Sequence, residues 1–357
     1  MKTRVLSKKE AAVSALNSKF YKVVLSIVAV LGLFIGLRTF FAPAYWGSAL
    51  GGSQSRAFQN VACTSLKHCA FVGASKFGGS IRNGRVLASK VPGLANDQTL
   101  NSFGLSDPLV ESVTCPTQKL CVAISFRGQL LIDFKDRWVV GGHLSSRSGE
   151  GFNTISCASP SFCMVGSSYG NAYLFSGAGW VNLGNPTKSS SGEILDVSCP
   201  VVGTCFVSTG QTNIDGGDDQ GQIFSFSQGE WHTETPLIPN AVQTISCTDI
   251  NFCVAGTNGD EYLIFQDGFW SRPQVITTDS NRIGNSEWLV STSCSNRNFC
   301  IALSTSFYAY TWNGQKWDSG VPVGPTNETP VSVNAISCFT GDRCVVAAQG
   351  IWLHDHR

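Results

Sequence analysis

Ile155-Ser156-Cys157 with Cys163-Met164-Val165-Gly166 returns later in the chain as Ile245-Ser246-Cys247 with Cys253-Val254-Ala255-Gly256. Every cysteine belongs to a pair of this kind, with five residues between its members. The pairs are Cys63/Cys69, Cys115/Cys121, Cys157/Cys163, Cys199/Cys205, Cys247/Cys253, Cys294/Cys300 and Cys338/Cys344, and they use all 14 cysteines. Successive pairs begin 52, 42, 42, 48, 47 and 44 residues apart. A period in the forties is the length of one four-stranded propeller blade, whereas solenoid repeats are shorter or contain a helix.

Working outward from each pair, a Gly- or Ser-containing turn leads to a short apolar-aromatic run, a glycine and usually a tryptophan. Examples are Tyr173-Leu174-Phe175 to Trp180 and Tyr262-Leu263-Ile264-Phe265 to Trp270, with Trp138, Trp231 and Trp317 in the same place. Each unit therefore reads as four strands of β-branched, aromatic and small residues, and nothing after residue 45 keeps a helical period. The expected fold is all-β, a seven-bladed β-propeller over residues 44–357 with one disulfide in each blade. The last unit stops at Arg357 without its Gly-x-Trp strand. Tyr45-Trp46-Gly47-Ser48-Ala49-Leu50 resembles Trp138-Val139-Val140-Gly141-Gly142-His143, so Trp46 is expected to supply the outer strand of the last blade. An irregular linker over residues 44–54 is the alternative.

Cysteines ending one strand and beginning the next meet across a hairpin, so pairing is assigned within each unit. Closing so small a ring contributes at most about 2 kcal/mol per bridge in the chain-entropy model. No cysteine is left over, and the five-residue gap matches neither a Cys-x-x-Cys redox motif nor the spacing of zinc ligands. No cofactor and no metal is expected from them. Disulfides persist in oxidising surroundings, which places the domain outside the cytosol.

The first 45 residues form a separate unit. Lys2, Arg4, Lys8, Lys9, Lys19 and Lys22 precede an uncharged stretch from Val23 to Leu37. Residues 1–22 read as a basic cytoplasmic tail and 20–41 as a transmembrane signal-anchor helix in the lipid bilayer, with Lys22 and Arg38 snorkelling. Cleavage near Ala44, after the small residues Ala42-Pro43-Ala44, would instead release a secreted protein. Net charge is +1 and 14% of residues are charged. Without a basic face, nucleic acid is excluded as a partner. A monomer is expected.

Units of the form Ser-Cys-x5-Cys-x-(Val/Ala)-x-(Gly/Ser), then an apolar strand and Gly-x-Trp, resemble repeats in secreted propeller proteins of actinobacteria. More distantly they resemble the bacterial neuraminidase-type repeat and the photosystem-assembly-factor propellers. Asp267-Gly268-Phe269-Trp270 and Gln228-Gly229-Glu230-Trp231 keep the turn and the tryptophan without the full aspartate box. The resemblance implies a fold and says little of activity. It also implies that the first strand of each unit is innermost, so that the cysteine hairpins lie on one face and the second-to-third and fourth-to-first loops on the other.

The loops of that second face are the candidate binding surface, because loops on a rigid scaffold carry recognition. Its longest are residues 92–109, 209–221 and 271–288. Asp215, Asp218 and Asp219, among three glycines, offer oxygen ligands for Ca²⁺ but lack EF-hand spacing, and a solvated acidic hairpin tip is the better reading of them. Arg282 and Trp288 are candidate anchors for a glycan or protein, against simple packing of the loop on its own blade. Three positions before each first cysteine stand Asn60, Ser112, Thr154, Asp196, Thr244, Ser291 and Ala335, read as the polar lining of a wet channel. His354 and His356 read as exposed terminal residues.

A sialidase-like or other glycan-acting hydrolase would need clustered arginines with a Tyr/Glu nucleophile pair, or two carboxylates at a set separation. Arg127, Arg147, Arg272 and Arg282 share the loop face with Asp107, Glu150, Glu193 and Asp279, but no position matches such a motif. The leading expectation is a non-enzymatic, membrane-anchored binding or scaffold module for a protein or cell-surface glycan. The alternatives are the hydrolase and an assembly factor for a membrane complex.

Overall fold

The computed structural model describes residues 45–48, 58–73, 77–82, 85–90, 110–134, 137–145, 147–188, 192–211, 219–277, 287–323, 333–348 and 350–355. Trp46–Asp355 form one compact unit, and every assigned element in it is a strand. The expected membrane helix over 20–41 and the basic tail lie outside the described residues. Among the described residues no helix is long and apolar enough to cross a membrane.

The cysteine hairpins form as the five-residue gap dictates. In unit three Phe152–Ser159 pairs antiparallel with Phe162–Ser167, and Cys157 faces Cys163 in register. Equivalent pairing places Cys63 opposite Cys69, Cys247 opposite Cys253, Cys294 opposite Cys300 and Cys338 opposite Cys344. All seven disulfides close within their own unit. The first strands of successive units pack side by side, and Ala335–Thr340 of the last unit packs against Phe58–Ser65 of the first, closing the ring.

The expectation of a seven-bladed propeller needs correction: among the described residues five sheets are regular blades of four consecutive strands, and the other two depart from that pattern. In the fifth unit the outer strand is divided into Phe269–Trp270 and Gln274–Val275, both pairing with Glu261–Gln266. Pro273 sits between the pieces and has no N–H to give the ladder. The last unit supplies only three strands of its own, and Tyr45–Ser48 lies at the outer edge of that sheet beside Gly350–Asp355.

Second strands such as Phe162–Ser167 and Phe252–Thr257 are buried along their whole length, because neighbouring sheets cover both of their faces. Each seam between units holds an apolar layer. Met164 and Phe162 meet Ile194, Val197 and Cys205, and Val61, Cys69 and Phe71 meet Ala335, Val345 and Ala347 where the ring closes. The glycine ending the cysteine repeat follows from this closeness. A Cβ on Gly166 would stand 2.3 Å from Ile194 Cγ2, and one on Gly256 2.7 Å from Leu289 Cβ.

The serine of the Ser-Cys motif ties one unit to the next. The N–H of Cys199 donates to Ser156 Oγ at 3.0 Å, Cys247 to Ser198 at 3.0 Å, Cys294 to Ser246 at 3.0 Å and Cys338 to Ser293 at 2.8 Å. Thr114 does the same for Cys157 at 3.4 Å, and Ser337 for Cys63 at 2.9 Å across the closure. Between units one and two the position is Ala62, which has no hydroxyl. Backbone donors that would otherwise be buried without partners are satisfied by this belt.

Candidate functional site

With the first strand innermost, the disulfide hairpins and the third-to-fourth turns share one face. The second-to-third turns and the fourth-to-first connections share the other. On this loop face Phe126 is 36% exposed, Tyr169 44% and Trp288 43%. Large aromatics held at loop tips are the residue type that anchors protein partners.

Their placement rests on two buried carboxylates. Glu150 accepts from Ser167 Oγ at 2.6 Å, Asn171 Nδ2 at 2.8 Å, the Tyr173 hydroxyl at 3.1 Å and the Arg147 N–H at 3.2 Å. Burial alone would raise its pKa, but these four donors outweigh burial and hold it below the ordinary carboxylate value. Tyr173 is pushed up to about 12 by burial and by the Glu150 charge it hydrogen-bonds. The loop so fixed runs between the aromatics: a Cβ on Gly151 would stand 2.1 Å from the Phe126 ring, and one on Gly149 2.7 Å from the Tyr169 hydroxyl.

Three units later the same geometry recurs. Glu287 accepts from Ser304 Oγ at 2.6 Å and the Tyr310 hydroxyl at 2.8 Å. Next to it the Trp288 N–H donates to Thr305 Oγ1 at 3.1 Å and the Thr305 N–H to the Trp288 carbonyl at 2.9 Å. In both units glutamate stands seven residues before the first cysteine and tyrosine sixteen after it. That shared spacing was the available signal, and it was not read from the sequence.

These are Tyr–Glu pairs, yet the hydrolase reading gains nothing from them. Tyr310, Glu287, Glu150 and Tyr173 are all buried, and the pairs repeat in separate units instead of converging on one site.

Asp196 does more than line a channel. Its Oδ1 accepts from the Thr154 hydroxyl at 3.0 Å and the Val197 N–H at 2.8 Å, and its Oδ2 from the Ile245 N–H at 2.9 Å and the Thr244 hydroxyl at 3.3 Å. One carboxylate thus joins three units. It keeps a little solvent contact, but burial outweighs the four donors and raises its pKa to about 6. Near the same inner strands Glu111 and Glu193 are also raised by burial.

Among the other sequence candidates, Asp215, Asp218 and Arg282 lie outside the described residues. Asp219 Oδ2 accepts from Asn258 Nδ2 at 3.0 Å. Trp288 is described and exposed. His354 is not an exposed terminal residue: it is 1% exposed, with Nδ1 2.9 Å from the Asp342 carbonyl oxygen, because its strand pairs with Arg343–Ala348. The one grouping of metal-ligand types among the described residues is His68, Cys115 and Cys121, and its two sulfurs are bonded to each other.

No family model and no curated protein matches the chain. Solved structures do, as propellers. YCF48 bound to D1 peptide has a TM-score of 0.62 at 13% identity, over 88% of this chain and 97% of that one. YCF48 from Cyanidioschyzon merolae has 0.58 at 14%, over 87% and 98%. The WD40 β propeller domain of Doa1 has 0.60 at 10%, over 88% and 98%. The likeness is one of fold.

Proposed function

We propose that this chain is a non-enzymatic binding module whose loop face takes a peptide segment of a partner protein. The observation that carries the reading is the exposure of Phe126, Tyr169 and Trp288 on one face, with the backbone beneath Phe126, Tyr169 and Trp288 fixed by Glu150 and Glu287. A similar structure holds a D1 peptide, which favours a protein over a glycan as the partner class. Residues 20–41 would hold the module at a membrane with the propeller outside the cytosol, and an assembly role for a membrane complex would follow if the partner is itself membrane-embedded.

The test compares affinity capture from membranes of the cells that make the protein, using the wild type, a loop-face variant (Phe126→Ala, Tyr169→Ala, Trp288→Ala) and the opposite-face variant Phe269→Ala. Support would be a protein held by the wild type and Phe269→Ala and lost by the loop-face variant, at equal melting temperature. Loss with Phe269→Ala alone, or recovery of a chemically cleaved glycan, would overturn the proposal.

A further inference from the structure

In several units the residue just before the second cysteine reaches across a seam onto the next unit's disulfide. Phe162 lies with Cys199 and Cys205, Phe252 with Cys294 and Cys300, and Phe299 with Cys338 and Cys344. In unit one the residue is His68, which is buried with Nε2 3.7 Å from Cys121 Sγ. Its ring nitrogen and both sulfurs of the Cys115–Cys121 bridge lie within 4.8 Å of one another.

The same bridge differs on its other side. Opposite the second cysteine, on the third strand, stand Phe175, Phe226, Phe265 and Trp312 in four units, but Asp133 in unit two, where it is 1% exposed. The seam also carries Ala62 in place of the serine that elsewhere binds the next cysteine's N–H. This bridge sits between a histidine and a buried aspartate.

We propose that Cys115–Cys121 is a thiol-exchange site, opened by a dithiol reductant while the remaining bridges stay closed. Cys121 is fully buried whereas Cys115 keeps solvent contact, so the attacking thiolate reaches Cys115 Sγ. The sulfur–sulfur bond breaks and its electron pair goes to Cys121 Sγ, beside His68. A departing sulfur that can accept a hydrogen bond from an imidazole N–H is a better leaving group. The reductant's second thiolate then attacks its own sulfur in the mixed disulfide and releases Cys115. Two electrons and two protons have passed from the dithiol, which leaves as a disulfide, to Cys115 and Cys121.

Unit seven supplies a stringent comparison. His354 stands opposite Cys344, but its ring lies 6.1 Å from Phe299 and its Nδ1 meets the Asp342 carbonyl oxygen.

The full-length oxidised protein would be treated with limiting dithiothreitol under native conditions, alkylated at intervals and mapped by mass spectrometry. The expected result is labelling of Cys115 and Cys121 on the order of tenfold faster than any other pair. His68→Phe, the residue found at three other seams, brings that rate down to the others with the melting temperature held. Ala62→Ser leaves the rate within about twofold, which separates the histidine from a loosened seam. Equal labelling of all pairs, another pair first, an unchanged rate in His68→Phe, or loss of the preference in Ala62→Ser would each overturn the proposal.

Discussion

At the residue scale, buried carboxylates set how this protein responds to pH. Glu150 has a folded pKa below its ordinary value, so its contribution is present above about pH 4.5 and is lost as pH falls through the folded pKa. Glu150→Gln should cost about 1–3 kcal/mol at pH 7, because buried donors lose their ionised acceptor, and should flatten the acid limb of a urea-midpoint profile. Asp196 has the opposite sign. Its pKa is raised to about 6 from 3.8, so the folded state binds the proton more tightly and the Asp196 contribution to stability falls as pH rises from about 4 to about 6. Urea midpoints of the wild type and Asp196→Asn across that window test this: the downward slope belongs to the wild type and should be missing from the variant. Gly166 is a packing residue, and Gly166→Val, which drives new atoms into Ile194, should cost about 1–3 kcal/mol by denaturant melting.

At the element scale, the cysteine hairpins were legible because both partners lie within one short stretch, where Cys157 and Cys163 can meet only across a turn. The serine belt was half legible. Ser156 stands out in the motif, but its partner, the Cys199 N–H, is a whole unit away and is reached only once the sheets are ringed. The Glu–Ser–Tyr constellation left only a shared spacing in two units, since Glu287 and Tyr310 are 23 residues apart and meet only in the folded blade. The division of the fifth unit's outer strand could have been read from Pro273. Ala62→Ser should supply the missing hydroxyl and raise stability by about 0.5–1 kcal/mol, whereas Ser246→Ala should lower it by about 1 kcal/mol. The strand-three aromatic and the tryptophan that follows its turn form a repeated pair, with ring centroids 5.2 Å apart for Phe226 and Trp231 and 5.7 Å for Trp312 and Trp317. Trp317→Ala, at a buried site, should cost about 3–5 kcal/mol.

At the scale of the whole molecule, ring closure turns local repeats into one rigid scaffold. The closing seam is held by the Val61–Phe71 layer against Ala335–Ala347, the Ser337 hydroxyl on the Cys63 N–H, and the Asn334 side chain donating to the Phe58 carbonyl at 2.6 Å. Removal of residues 44–50, which include the edge strand Tyr45–Ser48, should lower the melting temperature by several degrees. Rigidity in turn allows two loop connections, pinned by Glu150 and Glu287, to hold aromatics outward at low entropic cost. The binding proposal is tested most directly by placing a photo-crosslinking phenylalanine analogue at Tyr169 in one protein and at Phe269, on the opposite face, in another, and irradiating both in membranes of the cells that make the protein. The account predicts a discrete protein adduct from position 169 and none from 269; an adduct from 269 alone, or none from either, would contradict it.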